Sequence, residues 1–135
     1  MKQTLVVLYK SFSVGGIETN MADIMTNALK NNRRVIWVGD IRLKYDPAFS
    51  NLIENEKLEK VSINYSTIKS LPVPHLSFEE NEEVSITIFD VRMFNIACKI
   101  REKYPNNCIK IFYLIPLFTG SSIFLEQSFK GLLHT

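Results

Sequence analysis

Residues 4–40 read TLVVLYKSFSVGGIETNMADIMTNALKNNRRVIWVGD, and this stretch decides the fold class. It opens with an unbroken aliphatic run at residues 4–9, which predicts a strand covered on both faces of a parallel sheet. Apolar residues then recur at helical spacing, and Asn31 and Asn32 can end that helix because asparagine tolerates a left-handed backbone. A second buried strand is predicted at residues 35–38. The stretch therefore predicts a βαβ unit.

The rest of the sequence continues the alternation of strands and helices. Strands are predicted at residues 61–65, 84–89 and 108–115. A short helix is predicted at residues 49–60, and a second helix carries the apolar residues Met93, Ile96, Ala97 and Ile100. A last helix, capped by Ser121 and Ser122, is predicted to carry Ile123, Phe124, Phe129, Leu132 and Leu133. This alternation predicts an α/β fold with a mostly parallel sheet of about five strands. The acidic stretch at residues 79–83 is predicted to be a solvated loop.

The composition is that of a globular protein. Its 135 residues, 46% hydrophobic and 22% charged, predict one domain over residues 1–135 and exclude disorder and coiled coil. A net charge of +2 is too small to indicate nucleic acid as the partner. Cys98 and Cys108 do not suffice for a disulfide framework or a metal site, so we expect two reduced, mostly buried thiols.

No segment has the pattern of a targeting signal. The apolar run after Lys2 is too short for a secretory leader, and the longest apolar stretch, residues 111–118, is shorter than the ~20 residues of a membrane-spanning helix. We therefore expect a cytoplasmic protein, which could contact the inner face of a membrane as a peripheral protein.

Ligands of open α/β sheets bind at the carboxyl ends of the strands. The loops predicted at that edge are residues 11–16, Gly39 with Asp40, residues 90–92 and residues 116–120. The first of them ends in Gly15 and Gly16, which leave backbone N–H groups at the helix start open to a phosphate or a sugar hydroxyl. The same two glycines could instead serve only to make a tight turn.

Common phosphate-binding and catalytic motifs are missing from the sequence. Neither GxxxxGK[ST] nor GxGxxG occurs. Asp40 follows the second strand, where a dinucleotide-binding fold places its ribose-binding acid, but a single acid after one strand is common. No nucleophile has a histidine at the spacing of a catalytic triad, and no cluster of residues has metal-ligand spacing. Catalytic residues therefore stay unknown, and no metal site is expected.

One segment resembles a known family. Residues 13–20, SVGGIETN, followed by a helix, the turn NNRR and the strand at residues 35–38, resemble the N-terminal half of GT-B glycosyltransferases, and more narrowly the retaining family 4. Those enzymes build bacterial capsules, lipopolysaccharides and glycolipids. They open with a strand, a loop carrying GGxE, a long helix and a short turn into a second strand. The match is specific over residues 4–40 and architectural over the rest.

The resemblance implies a Rossmann-like three-layer sandwich that forms the acceptor-side half of a two-domain enzyme, whose C-terminal domain this chain lacks. A nucleotide-sugar would be the donor, a glycan or lipid-linked molecule the acceptor, and no cofactor or metal would be required. Gly15 and Gly16, with Ser13 in the same loop, would lie near the donor diphosphate and the acceptor. Glu18 would be structural in the first helical turn.

The sequence departs from the family at two strand ends, where a histidine often faces the reacting sugar. One of those ends carries Asp90 and Arg92, and the two histidines of the chain, His75 and His134, lie elsewhere. Asp90 or Arg92 could occupy the cleft instead, with Arg92 either on a phosphate or in a surface salt bridge.

Residues 116–118, with Phe124 nearby, could form an apolar lip for a lipid-linked acceptor or for the missing domain. Two other hypotheses stay open. The chain could be a stand-alone, flavodoxin-like binding or interaction domain without catalysis, or half of a nucleotide-binding oxidoreductase.

Overall fold

A computed structural model describes residues 2–13, 16–65, 73–116 and 122–127. Its elements are β1 (Gln3–Leu8), α1 (Gly16–Lys30), β2 (Arg34–Gly39), α2 (Ser50–Ile53), β3 (Leu58–Ser62), β4 (Glu83–Ile88), α3 (Phe94–Lys103), β5 (Cys108–Pro116) and β6 (Ser122–Gln127). Short 3-10 turns at Pro47–Phe49 and Val91–Met93 lead into α2 and α3.

The six strands form one sheet in the order β3-β2-β1-β4-β5-β6. The first five are parallel to one another, and β6 pairs antiparallel with β5. The chain therefore builds outward from β1 in one direction, crosses over after β3, and builds outward in the other direction from β4. This is the strand order of a Rossmann-type sheet, and it differs from the 2-1-3-4-5 order of flavodoxin-like domains. The predicted α/β, Rossmann-like class is confirmed.

Each face of the sheet carries a helical layer. In β1, Leu5 and Val7 join a core with α1 and α2, whereas Val6 and Leu8 join a core with α3. Because both faces are covered, each of these side chains is buried, and full burial of one such side chain contributes roughly 1.5–3 kcal/mol. The unbroken apolar run of the first strand follows from this arrangement, and the three-layer sandwich is confirmed.

The end of α1 confirms the predicted stop. Asn32 adopts a left-handed backbone with φ of 60°. The N–H of Arg33 donates to the carbonyl of Ala28 at 2.9 Å, and the N–H of Asn32 donates to the carbonyl of Leu29 at 3.1 Å. These two bonds close a Schellman motif, which satisfies carbonyls that the helix end would leave unpaired.

Two predicted helices differ from the structure. The helix predicted at residues 49–60 is only the single turn α2, because residues 55–57 form a turn in which the N–H of Lys57 donates to Oδ1 of Asn55 at 2.9 Å. Strand β3 then begins at Leu58, three residues before the predicted strand.

The predicted final helix is also wrong over residues 122–127, which form β6. Antiparallel pairing with β5 supplies the backbone hydrogen bonds of this segment, and a short apolar run such as SIFL fits a strand as well as a helix. Phe129, Leu132 and Leu133 lie outside the described residues.

Charged residues cluster at the amino ends of the strands. The side chain of Glu82 is fully buried, and Nη1 of Arg34 lies 3.1 Å from its Oε2. Nη2 of Arg34 also donates to Oε1 of Glu59 at 2.8 Å, and Nζ of Lys2 lies 3.8 Å from Glu82. The prediction that residues 79–83 are a solvated loop is therefore wrong for Glu82, whose carboxylate is buried beside the guanidinium of Arg34, and for Glu83, which is the first residue of β4.

The two cysteines are free thiols, but they are less buried than predicted. Cys98 on α3 is half-buried, and burial raises the pKa of its thiol above the ordinary value of 9.0. Cys108, the first residue of β5, is exposed. Its position at the amino end of a strand, next to a turn, leaves it outside the core.

Candidate functional site

A cavity of about 250 Å³ lies where β1 and β4 end. These strands are neighbours in the sheet, and the strand order reverses between them, so the cavity occupies the position where open α/β sheets bind ligands. Its walls are formed by Leu8, Tyr9, Lys10, Ser11, Glu18, Tyr65, Phe89, Asp90, Arg92 and Met93.

One wall of the cavity is aromatic. The rings of Tyr9 and Phe89 are 6.0 Å apart, and Tyr9 packs on the buried ring of Phe12 at 5.5 Å. Phe12 in turn contacts Trp37 and Phe49 at centroid distances of 5.2 and 5.6 Å. The loop after β1 is therefore anchored in the core by the buried ring of Phe12.

The backbone of the aromatic wall is also held in place. The indole Nε1 of Trp37 donates to the carbonyl oxygen of Tyr9 at 2.7 Å. The hydroxyl of Tyr65, which is buried, donates to the carbonyl oxygen of Val38 at 2.7 Å. Burial, with a smaller contribution from the charge of Asp40, raises the pKa of Tyr65 above its ordinary value. Both bonds join the end of β2 to the walls of the cavity.

Glu18 belongs to the cavity rather than to helix structure alone. It lies in the first turn of α1, and its Oε1 is 3.5 Å from the hydroxyl of Ser13. Its carboxylate also hydrogen-bonds the phenol of Tyr9. Burial first, and then this hydrogen bond and the charge of Glu18, raise the pKa of Tyr9. Glu18 thus lies in the first helical turn, where the sequence placed it, and it also lines the cavity.

Asp90 and Arg92, the two tentative site residues, both line the cavity and bind each other. Oδ2 of Asp90 accepts from Nε of Arg92 at 2.8 Å, and Oδ1 accepts from its backbone N–H at 2.9 Å. These bonds lower the pKa of Asp90 below its ordinary value of 3.8. Asp90 thereby caps the 3-10 turn before α3, and Arg92 is exposed in the salt bridge that the sequence analysis offered as its alternative role.

The glycine loop is only partly described. Gly16 is exposed at the first position of α1, and a Cβ built there would meet no atom within 4 Å. Ser13 is exposed, and Gly15 lies outside the described residues. Ser11 and Glu18, on either side of this loop, form part of the cavity wall. Gly16 itself does not line the cavity.

Asp40 lies at the end of β2, buried and already paired. Its two carboxylate oxygens accept from Nε and Nη2 of Arg42, each at 2.9 Å. This hydrogen bonding lowers the pKa of Asp40 below its ordinary value of 3.8. The N–H of Asp40 donates to the carbonyl of Lys10 at 2.8 Å, which joins the ends of β2 and β1. Asp40 does not line the cavity.

Other predicted positions lie away from this site. His75 is exposed and does not line the cavity, whereas His134, the lip residues after Pro116 and the side chain of Phe124 are outside the described part of the chain. Within the described ranges, no group of three or more potential ligands is arranged to hold a metal ion. None of the described helices is both long and apolar enough to cross a membrane.

No protein-family model matches this chain, and the search of curated proteins found no match either. The fold and the cavity define a Rossmann-like α/β protein with a small polar and aromatic pocket at the point where the strand order reverses. The sequence analysis found this edge of the sheet, together with Asp90 and Arg92. Tyr9, Lys10 and Tyr65 were not predicted, because a tyrosine or lysine shortly after a strand has no distinctive spacing.

Proposed function

We propose that this chain is the N-terminal, acceptor-side domain of a GT-B glycosyltransferase, which transfers a sugar from a nucleotide-sugar to a glycan or lipid-linked acceptor in bacterial surface polysaccharide synthesis. The observation that carries the proposal is the cavity at the carboxyl ends of β1 and β4. It lies beside the loop whose GGxE pattern resembles that of family 4 enzymes.

The start of α1 supports a role in binding phosphate. Gly16 is exposed with open space around its Cα, so the N–H groups of the first turn are not covered by a side chain at this position. The partial positive charge at a helix start stabilises an anion by about 0.3–1 kcal/mol, and by up to ~2 kcal/mol when partly buried. Such a contribution assists binding but needs partners. Gly15 and Ser13 of the same loop are the candidates, and Arg92 could join them only by exchanging Asp90 for the phosphate.

Transfer in this proposal depends on stabilising the departing diphosphate. Donors already in place where charge develops lower the barrier, because they need no reorganisation during the reaction. The acceptor would occupy the cavity, and a second domain would bind most of the donor. The nucleotide-sugar is a substrate, so the proposal assigns no cofactor and no metal.

Exposed apolar side chains at the same edge of the sheet support contact with a partner that extends beyond the cavity. Among the described residues, the large apolar side chains that are exposed are Ile41, Leu43, Phe89 and Val91, and Val91 is 70% exposed. All four lie in the loops that follow β2 and β4. Such a surface suits a second domain or a lipid-linked acceptor. We place the reaction in the cytoplasm, at the inner face of a membrane.

Release of nucleoside diphosphate tests the proposal. The isolated domain should be inactive alone, so the two-domain protein of this proposal, in which this chain is joined to the donor-binding domain, is incubated with UDP- and GDP-sugars and a panel of glycan and lipid-linked acceptors, and released UDP or GDP is measured. We expect acceptor-dependent release that falls at least tenfold in Gly16→Val, since the valine side chain would cover the N–H groups. Asn27→Val, on the exposed face of the same helix, is the matched control and should keep the wild-type rate. Wild-type release by Gly16→Val would contradict the proposal.

The strand order favours one competing function. A Rossmann-type order with an acid after β2 is the arrangement of dinucleotide-binding domains. However, both oxygens of Asp40 are engaged by Arg42, and the GxGxxG loop is missing. Titration with NAD and NADP distinguishes the two functions: saturable binding of a dinucleotide, without release of UDP or GDP from any sugar donor, would favour an oxidoreductase half. Binding of neither ligand class would favour an interaction domain.

A further inference from the structure

We propose that the cavity binds a sugar ring that carries a phosphate, with Lys10 and Ser11 contacting the phosphate, Glu18 accepting a hydrogen bond from a ring hydroxyl, and Phe89 packing against the ring. The inference deepens the proposed function and rests on it, since it names the acceptor as a glycosyl phosphate.

Most polar side chains of the cavity have a partner. Asp90 and Arg92 bind each other, the hydroxyl of Tyr65 donates to a backbone carbonyl, and Tyr9 is bonded to Glu18. Lys10 and Ser11 differ, because neither side chain forms a hydrogen bond with any residue in the described ranges. These two side chains are the donors that a ligand in the cavity can use.

The ammonium of Lys10 is not required by the chain. The carboxylate whose pKa it helps to lower is Asp40, and Arg42 already donates to both oxygens of that group. The backbone of Lys10 is fixed, because its carbonyl accepts from the N–H of Asp40 at 2.8 Å. A lysine with a fixed backbone, whose ammonium has no hydrogen-bond partner among the described residues, suits a phosphate, which it binds as a point charge. The hydroxyl of the neighbouring Ser11 can add a second hydrogen bond.

Glu18 indicates that the ligand also carries hydroxyl groups. Its partners are two hydroxyls, those of Ser13 and Tyr9, and it forms no ion pair with a described residue. A carboxylate accepts up to about four hydrogen bonds, so it retains capacity for a further hydroxyl. A ligand that had only phosphate groups would gain nothing from this carboxylate and would be repelled by it.

The remaining walls and the volume limit the size of the ligand. Phe89 is about one-third exposed, and Leu8 and Met93 supply buried apolar surface beside it. A sugar ring has an apolar C–H face that can pack on such a wall. The cavity of about 250 Å³ is below the range of roughly 300–1,000 Å³ that holds drug-sized ligands, so one ring with its phosphate fits better than a dinucleotide.

The test is direct binding by the full chain, measured by calorimetry or by NMR shifts. The probes are the 1-phosphates of glucose, galactose, mannose and N-acetylglucosamine, each compared with its free sugar and with inorganic phosphate. We expect at least one hexose 1-phosphate to bind tenfold or more tightly than both. A methyl hexosyl phosphate diester then distinguishes the source: equal binding of the diester indicates a lipid-linked glycosyl phosphate, and loss of binding indicates a free sugar phosphate.

Two pairs of variants assign the contacts. Lys10→Met should weaken binding of the hexose 1-phosphate about tenfold, whereas Lys44→Met, an exposed lysine outside the cavity, should leave it unchanged. Glu18→Gln should reduce the preference for hexose 1-phosphate over inorganic phosphate, whereas Asp23→Asn, on the exposed side of the same helix, should not. Far-UV circular dichroism of each variant establishes that it is folded.

Several results would overturn the inference. One is equal binding of inorganic phosphate and hexose 1-phosphate. Another is wild-type affinity in Lys10→Met. A third is the absence of binding by any of the four hexose 1-phosphates at roughly 10 mM, about ten times the dissociation constant of a weak, millimolar site. If transfer from nucleotide-sugars occurs without binding of sugar phosphates, this inference fails and the proposed function stands. If binding of sugar phosphates depends on Lys10 but the two-domain protein turns over no nucleotide-sugar, this inference stands and the proposed function fails.

Discussion

The carboxylate of Glu82 is fully buried and lies 3.1 Å from the guanidinium of Arg34, at the opposite end of the sheet from the cavity. Arg34 also bonds Glu59 on β3 and donates to the carbonyl of Ser77 at 2.7 Å. One guanidinium thus joins β2, β3 and the segment that leads into β4. Removing it leaves a buried carboxylate whose nearest described cation is Lys2, at 3.8 Å.

We therefore expect Arg34→Met to lower the free energy of unfolding by about 3–5 kcal/mol, as breaking a buried ion pair does. Glu59→Gln should cost no more than ~1 kcal/mol, because the Glu59 side chain is largely exposed. Urea unfolding followed by circular dichroism measures both values. The double variant Arg34→Met/Glu82→Leu should recover part of the loss. Equal costs for the two single variants would show that burial of Glu82 does not matter.

Tyr104, the residue that follows the last residue of α3, holds the extended segment before β4. Its hydroxyl accepts from the N–H of Leu76 at 3.1 Å and donates to the carbonyl of the same residue. Tyr104→Phe leaves both backbone groups unpaired, and we expect a loss of about 1–3 kcal/mol in the free energy of unfolding. Tyr45→Phe removes a hydroxyl that makes no hydrogen bond in the described ranges, and its unfolding midpoint in urea should stay near that of the wild type.

Gly39 is required by the ring of Trp37. A Cβ built at Gly39 would lie 2.3 Å from Cε2 of that ring, which packs in the core and is held by the carbonyl of Tyr9. Gly39→Ala should therefore cost about 1–3 kcal/mol through overpacking. Gly16→Ala has open space and should stabilise the protein by about 0.4–1 kcal/mol, since alanine restricts the unfolded chain. Thermal unfolding compares them, and a lower midpoint for Gly16→Ala than for Gly39→Ala would contradict this account.

The free energy of unfolding should decrease as the pH falls, because three carboxylates have a lowered pKa in the folded state. Hydrogen bonds from arginine lower the pKa of Glu59 below its ordinary value of 4.5, and those of Asp40 and Asp90 below 3.8. A carboxylate with a lowered pKa in the folded state binds fewer protons there than in the unfolded state. Its contribution is therefore fully present above the ordinary pKa and is lost as the pH falls through the lowered one.

Urea unfolding at pH 7, 5, 4 and 3 checks this expectation. The wild type should lose stability between pH 5 and pH 3, while Glu59→Gln should start lower at pH 7 and lose less over the same interval. An identical pH dependence in the two proteins would mean that Arg34 does not lower the pKa of Glu59 in the folded state.

The βαβ unit could be predicted because its signals are local. The aliphatic runs of β1 and β2 indicate that both faces of these strands are buried. Asn32 indicates the end of α1, because asparagine tolerates the left-handed backbone found there. Strand β6 could not be predicted in this way. A six-residue segment with only three apolar residues in a row takes the structure that its neighbour allows, and here it pairs with the edge of β5.

The candidate site was predicted as an edge of the sheet rather than as a set of side chains. Asp90 and Arg92 follow a strand closely enough for their position to be read from the sequence, and both line the cavity. Tyr65 reaches the same cavity from a position 25 residues earlier in the chain than Asp90, by way of the crossover between β3 and β4. Contacts across such a crossover depend on tertiary packing, for which the local pattern carries no signal.

Trp37 is the single tryptophan of the chain, and its indole N–H is bonded to the carbonyl of Tyr9, a residue of the cavity wall. The tryptophan fluorescence of this protein thus arises from one indole, which is hydrogen-bonded to the backbone of the cavity wall. Any ligand that displaces Tyr9 should change the emission wavelength or intensity, which offers a label-free optical titration of the site.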